Sequence, residues 1–145
     1  MVNDLESITA GAGGDLYILA SQSRTSKGKR PAARRIFLHL KRAVDGYEVT
    51  GERDLYTSLA TLDAAGLERL GVSALDDLDI EGMTLTSSGL LLGLKAPLDG
   101  EGRALIWNVE RPAVLLSGGS LEEAGLAPAP RTRAAARVLS ELVAV

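Results

Sequence analysis

Asp4-Leu5-Glu6-Ser7-Ile8-Thr9 returns later in the chain as Asp79-Ile80-Glu81-Gly82-Met83-Thr84. The match continues beyond each stretch. A small turn comes next, Ala10 to Gly14 in the first copy and Thr86 to Gly89 in the second. Each turn leads to an apolar run, Leu16 to Ala20 and Leu90 to Leu94. A polar or proline-bearing loop separates that run from a third, Arg35 to Leu40 and Ala104 to Val109. A fourth strand is expected at Tyr47 to Arg53 and at Ala113 to Leu116. Alternation in Ile36-Phe37-Leu38-His39-Leu40 and Leu105-Ile106-Trp107-Asn108-Val109 suits strands with one wetter face. Gly13-Gly14 and Ser87-Ser88-Gly89 suit hairpin turns.

Four short antiparallel strands, repeated, is the plan of a propeller blade. The expected fold is therefore mainly β: two four-stranded antiparallel propeller-like blades with a few short helices. The first blade-like repeat takes residues 1–56 and the second residues 75–119. Residues 57–74 form a helical connector, because Leu59, Leu62, Leu67 and Leu70 lie on one stripe and Gly71 is a natural stop. Residues 120–145 hold a short helix opened by a Ser120/Glu123 capping box, a linker from Leu126 to Pro130, and an amphipathic helix. In that last helix Ala135, Val138, Leu139 and Leu142 recur at helical spacing. Closed propellers need about four to eight blades, and two leave open sheet edges. The chain is thus expected to belong to a larger or oligomeric β-propeller.

Composition narrows the chemistry. With 145 residues, 46% of them hydrophobic, the chain can bury a real core. Aromatics are only 3%, so that core is Leu, Val, Ile and Ala. There is no cysteine, which excludes disulfides, thiolate metal sites and a cysteine nucleophile. The N-terminus has no basic region followed by an apolar run, so no signal peptide is expected. No apolar run approaches the roughly 20 residues that span a bilayer. These features slightly favour the cytoplasm, although exported bacterial proteins often share them. The net charge of −3 implies no partner by itself.

The second copy carries a family resemblance: Leu78 to Thr84, then Gly89-Leu90-Leu91-Leu92-Gly93-Leu94-Lys95-Ala96-Pro97, then Gly102 to Ile106. The first copy agrees through Asp4 to Thr9, Ser21-Gln22-Ser23-Arg24 and the basic loop Lys27-Gly28-Lys29-Arg30-Pro31. Over most of Asp4 to Val109 the chain resembles the DUF3616 family of bacterial proteins. The resemblance implies a propeller, similar in style to phytase-like and esterase-like propellers, and carries no assigned activity. Where such families show Ser-His-Ser before the arginine, this chain has Ser21-Gln22-Ser23. The family's remaining blades are not in this sequence.

Two groups of residues could carry function. Asp4 and Glu6 are two apart on a strand, as are Asp79 and Glu81, so each pair shares a face. If those strands are the inner ones, four carboxylates converge, and a hard cation such as calcium would suit them. Alternatively, each acid braces one blade to the next through an arginine or backbone amides. The second group is basic: Arg24, Lys27, Lys29 and Arg30 lead a stretch without an acid up to Arg42. They could hold a small anionic ligand, or be a solvated loop. Arg24 could instead pair with Glu6 or Glu81. No aromatic lies among Arg24 to Arg35 for stacking on bases, which disfavours nucleic acid.

His39 is the single histidine, so two-histidine metal sites are excluded. A serine hydrolase would need Ser21 or Ser23 beside it, and no nucleophile-elbow pattern occurs. The leading expectation is a non-enzymatic interaction or ligand-binding module with a protein partner or self-association. Its rivals are a calcium-dependent hydrolase on Asp4, Glu6, Asp79 and Glu81, and a homo-oligomeric structural ring.

Overall fold

The computed structural model describes residues 4–130; the amphipathic stretch from Ala135 to Leu142 lies outside them. The chain folds mainly into strands, with a few short helices. Strands β1 (Leu5–Ala10), β2 (Leu16–Ala20), β3 (Ile36–Ala43) and β4 (Gly46–Asp54) form one antiparallel sheet in chain order. Strands β5 (Asp79–Thr86), β6 (Gly89–Leu98), β7 (Ala104–Val109) and β8 (Leu126–Pro128) form a second sheet in the same order.

Helices α1 (Leu55–Ala60) and α2 (Ala64–Arg69) join the sheets. Each starts on an aspartate: the Asp54 carboxylate accepts from the Thr57 amide and Asp63 from the Gly66 amide, satisfying amides with no helical partner. Helix α2 ends as Gly71 predicts. Gly71 adopts φ 81, its amide donates to Glu68 and that of Val72 donates to Leu67. These are the two bonds of a Schellman stop.

The fourth strand of the second sheet lies elsewhere than the sequence pattern suggests. Ala113 to Leu116 lie in a helix, α3 (Pro112–Leu116), with Pro112 in its first turn, where a missing N–H costs nothing. The strand is Leu126–Pro128, inside the stretch whose prolines suggest a linker. Ser120 and Glu123 do form the capping box. The Glu123 carboxylate accepts from the Ser120 amide at 2.9 Å, and the Ser120 hydroxyl accepts from the Glu123 amide at 3.0 Å. Only one turn follows, because Gly125 takes φ 70 and redirects the chain to pair with β7.

One core joins both sheets. Leu19 and Phe37 of the first sheet meet Leu90, Leu92, Leu94 and Trp107 of the second, with Leu55, Leu59 and Leu70 from the connector. Trp107 is fully buried and donates its indole N–H to the Leu70 carbonyl at 2.9 Å. The indole therefore ties the connector to the second sheet.

Candidate functional site: the seam between the two first strands

β1 and β5 lie side by side. Ser7 Oγ donates to the Met83 carbonyl, Thr9 Oγ1 accepts from the Leu85 amide, and the Ile80 amide donates to the Ser21 carbonyl. The seam thus brings the two acidic stretches together. Each strand also breaks its ladder at the same point. In β1 the pairing steps from Leu5 opposite Ala20 to Ser7 opposite Leu19, leaving Glu6 as the extra residue. In β5 it steps from Ile80 opposite Leu94 to Gly82 opposite Gly93, leaving Glu81 as the extra residue. A bulge of this kind re-aims one side chain. Here both re-aimed side chains are glutamates.

The four acids differ in their partners. Asp4, at φ 60 just before β1, is enclosed by donors. Ser21 Oγ donates to its Oδ2 at 2.6 Å and Ser23 Oγ at 3.3 Å, while Arg34 Nη1 lies 2.9 Å away. Glu81 pairs with Lys95 at 2.6 Å, which holds the Lys95 ammonium above its ordinary value through that hydrogen bond and charge. Among the described residues, Glu6 has no ion-pair partner. Desolvation raises its carboxyl above the ordinary value, and the charges of Asp4, Glu81 and Asp79 add to that. The Asp79 carboxyl is likewise raised, by burial and then by Glu81, with Lys95 and Arg34 opposing and Asp4 adding. The seam is a small concentration of negative charge, half neutralised by Arg34 and Lys95. Among the described residues, no group of three or more His, Asp and Glu side chains is placed to hold a metal ion.

The basic loop is partly committed elsewhere. Arg24 pairs with Asp76 at 2.9 Å rather than with Glu6 or Glu81, because its loop packs against the end of the connector. Arg30 donates Nε–H to the Gln22 carbonyl and Nη2–H to the carbonyls of Leu75 and Asp76. Its guanidinium also lies 3.7 Å from the Tyr56 ring centroid. Arg30 therefore staples the loop to the connector. Lys27 and Lys29 extend into solvent.

The structure separates Ser21 and Ser23 from His39. The serines are bound to Asp4 and Arg34, whereas His39 stacks on Tyr17 at 4.8 Å between centroids. Its Nε2 lies 3.2 Å from the Asp15 carboxylate and its Nδ1 lies 2.7 Å from the Thr50 hydroxyl. Sequence reasoning missed this Asp15–His39–Thr50 chain, since only the β2–β3–β4 register brings the three together. It links three neighbouring segments of one sheet, as a cross-strand brace does.

Two adjoining clefts lie away from the seam. One, of about 530 Å³, is lined by Arg53, Thr57, Ser58, Thr61 and Ser120. The other, of about 680 Å³, is lined by Leu62, Arg69, Leu70, Leu121 and Leu126. Leu62, Leu121 and Glu122 border both. Among the described residues no helix is long and apolar enough to cross a membrane. No family model matches the chain, nor does any curated protein or solved structure.

Proposed function

We propose that the chain is a non-enzymatic, propeller-type interaction module that binds a protein partner through the outward face of its first sheet. The single observation behind this is that face. Strand alternation turns Tyr17, Leu19 and Phe37 toward the core and their neighbours the other way. Ile8, Leu5, Tyr47 and Val49 are 53%, 48%, 50% and 58% exposed as a result. An apolar sheet face of this kind is a binding surface by default. In this reading the chain is part of a DUF3616-like propeller, with each sheet as a blade and further blades stacking on the first. The serine hydroxyls, tied into the Asp4–Arg34 network, are better placed as braces than as nucleophiles. A panel of phosphate monoesters and acyl esters, with and without calcium, is expected to show no turnover. Turnover that disappears in Glu81→Gln would overturn the reading.

A second reading, a calcium-dependent hydrolase, draws on the raised carboxyls of Glu6 and Asp79. Crowded carboxylates are relieved by a divalent cation as well as by protons. Thermal melting in calcium and in EDTA tests it. A melting temperature that rises with calcium supports the cation site, and an unchanged one removes it.

A further inference from the structure

We propose that the partner on the outward face of the first sheet is a second copy of the same chain, packed face to face about a two-fold axis perpendicular to the strands. The proposal rests on the module reading above and names its partner. The registers align Ile8, Ile18 and Leu38 in one row across β1, β2 and β3, with Leu16, Leu40 and Val49 in the next. All six project on the side away from the core.

Charge decides the occupant. The apolar rows are bracketed by one cation and one anion of the same face. Arg42 stands beyond Leu40, opposite Tyr47, and Glu52 stands beside Leu38. Both are exposed, and among the described residues neither has an ion-pair partner. Leu38 and Arg42 are four residues apart, about 13 Å along the strand. A two-fold axis passing near Leu40 and perpendicular to the strands reverses the strand direction. It lays Arg42 of one copy over Leu38 and beside Glu52 of the other, and the reverse, while Leu40 and Val49 pack at the axis. A two-fold axis parallel to the strands would keep Arg42 level with Arg42 and Tyr47 of the other copy, about 13 Å along the strand from Glu52. The charges therefore select the antiparallel pairing, and the face is self-complementary, as an isologous interface requires.

Sedimentation equilibrium on the whole chain tests this. The wild type is expected to approach twice the chain mass at micromolar concentration. Arg42→Glu and Glu52→Arg should each weaken association by about tenfold or more, since each creates two like-charge contacts. The double variant R42E/E52R should restore it. Both positions are exposed, and unchanged circular dichroism checks that the variants fold. A wild type that stays monomeric overturns the proposal, and the face then belongs to residues 131–145 or to a different protein. A dimer indifferent to the single reversals, or a double variant no better than the singles, overturns it equally. A monomer without ester turnover fails the dimer and leaves the module; turnover fails the module whatever the mass.

Discussion

Gln22 adopts φ 61 with its side chain fully buried, and both ends of its amide are occupied. Nε2 donates to the carbonyls of Ala20 and Ile36, and Oε1 accepts from the Tyr56 amide at 3.0 Å. Its own carbonyl accepts from Arg30. A left-handed, non-glycine residue persists only when its surroundings over-determine it, and these bonds do so. The side chain thereby pins the end of β2 to β3 and to the first turn of α1. Gln22→Ala should remove about 2–3 kcal/mol of stability, because it strands a buried amide and leaves the backbone conformation unsupported. Urea denaturation measures the loss, and a cost below about 0.5 kcal/mol would refute the pinning role. Glu6 makes the opposite case. Its carboxyl is raised in the folded chain, so the folded state holds the proton more tightly than the unfolded state. Stability from this group falls as pH rises from the ordinary carboxyl value through the raised one, and the deficit is complete above it. Glu6→Gln should therefore stabilise the protein at neutral pH, by less than about 1 kcal/mol because the site is largely exposed. The gain should vanish in acid, where both forms are neutral. Melting temperatures against pH decide this, and a Gln variant less stable at pH 7 would show that Glu6 is a needed brace.

At the scale of elements, strands with apolar runs and glycine-marked turns were legible. β2 and β7 fall where the alternation puts them, and β1, β3, β4, β5 and β6 differ from their expected bounds only at the ends. The fourth strand of the second sheet was not legible. Ala113 to Leu116 is apolar enough for either state, and short apolar runs do not declare their period. Pro112 at the first turn tipped it to a helix. Leu126–Pro128 hides its strand character behind its proline, which an edge strand tolerates because it sits at the margin of the sheet. The acidic site was half legible. The juxtaposition of the two acid pairs follows from the neighbouring first strands, but the simple two-residue alternation does not hold through bulges at Glu6 and Glu81. Nothing in the sequence marks the extra residue, since a bulge is set by pairing with the neighbouring strand. Gly89 marks the turn between β5 and β6 at φ 132, and a Cβ there would collide with the Val109 carbonyl and approach the Glu110 Cα to 2.9 Å. Gly89→Ala should cost about 3 kcal/mol, from backbone strain and from the separation it forces between β6 and β7. Chemical denaturation checks it, and a loss near that of an ordinary turn substitution would mean the hairpin adjusts freely.

For the whole molecule, the decisive feature is that the two sheets do not own separate cores. Leu19 and Phe37 reach from one sheet into the cluster built on Leu90, Leu92 and Trp107 of the other, and the connector leucines fill the space between. The acid seam adds hydrogen bonds along the first strands but little apolar burial, so the shared leucines carry the coupling. A chain held this way should unfold as one unit even though its halves look alike in topology. Leu92, fully buried at the centre of β6, is the position to test. Leu92→Ala should remove about 2–5 kcal/mol through lost burial and a residual cavity. The loss should be the same whether unfolding is followed by Trp107 fluorescence in the second sheet or by the His39 ring resonances in the first. Coincident transitions in wild type and variant are the expected result. If the first sheet kept its wild-type midpoint while Trp107 lost its own, the sheets would be independent units, and the shared core would be contact without cooperation.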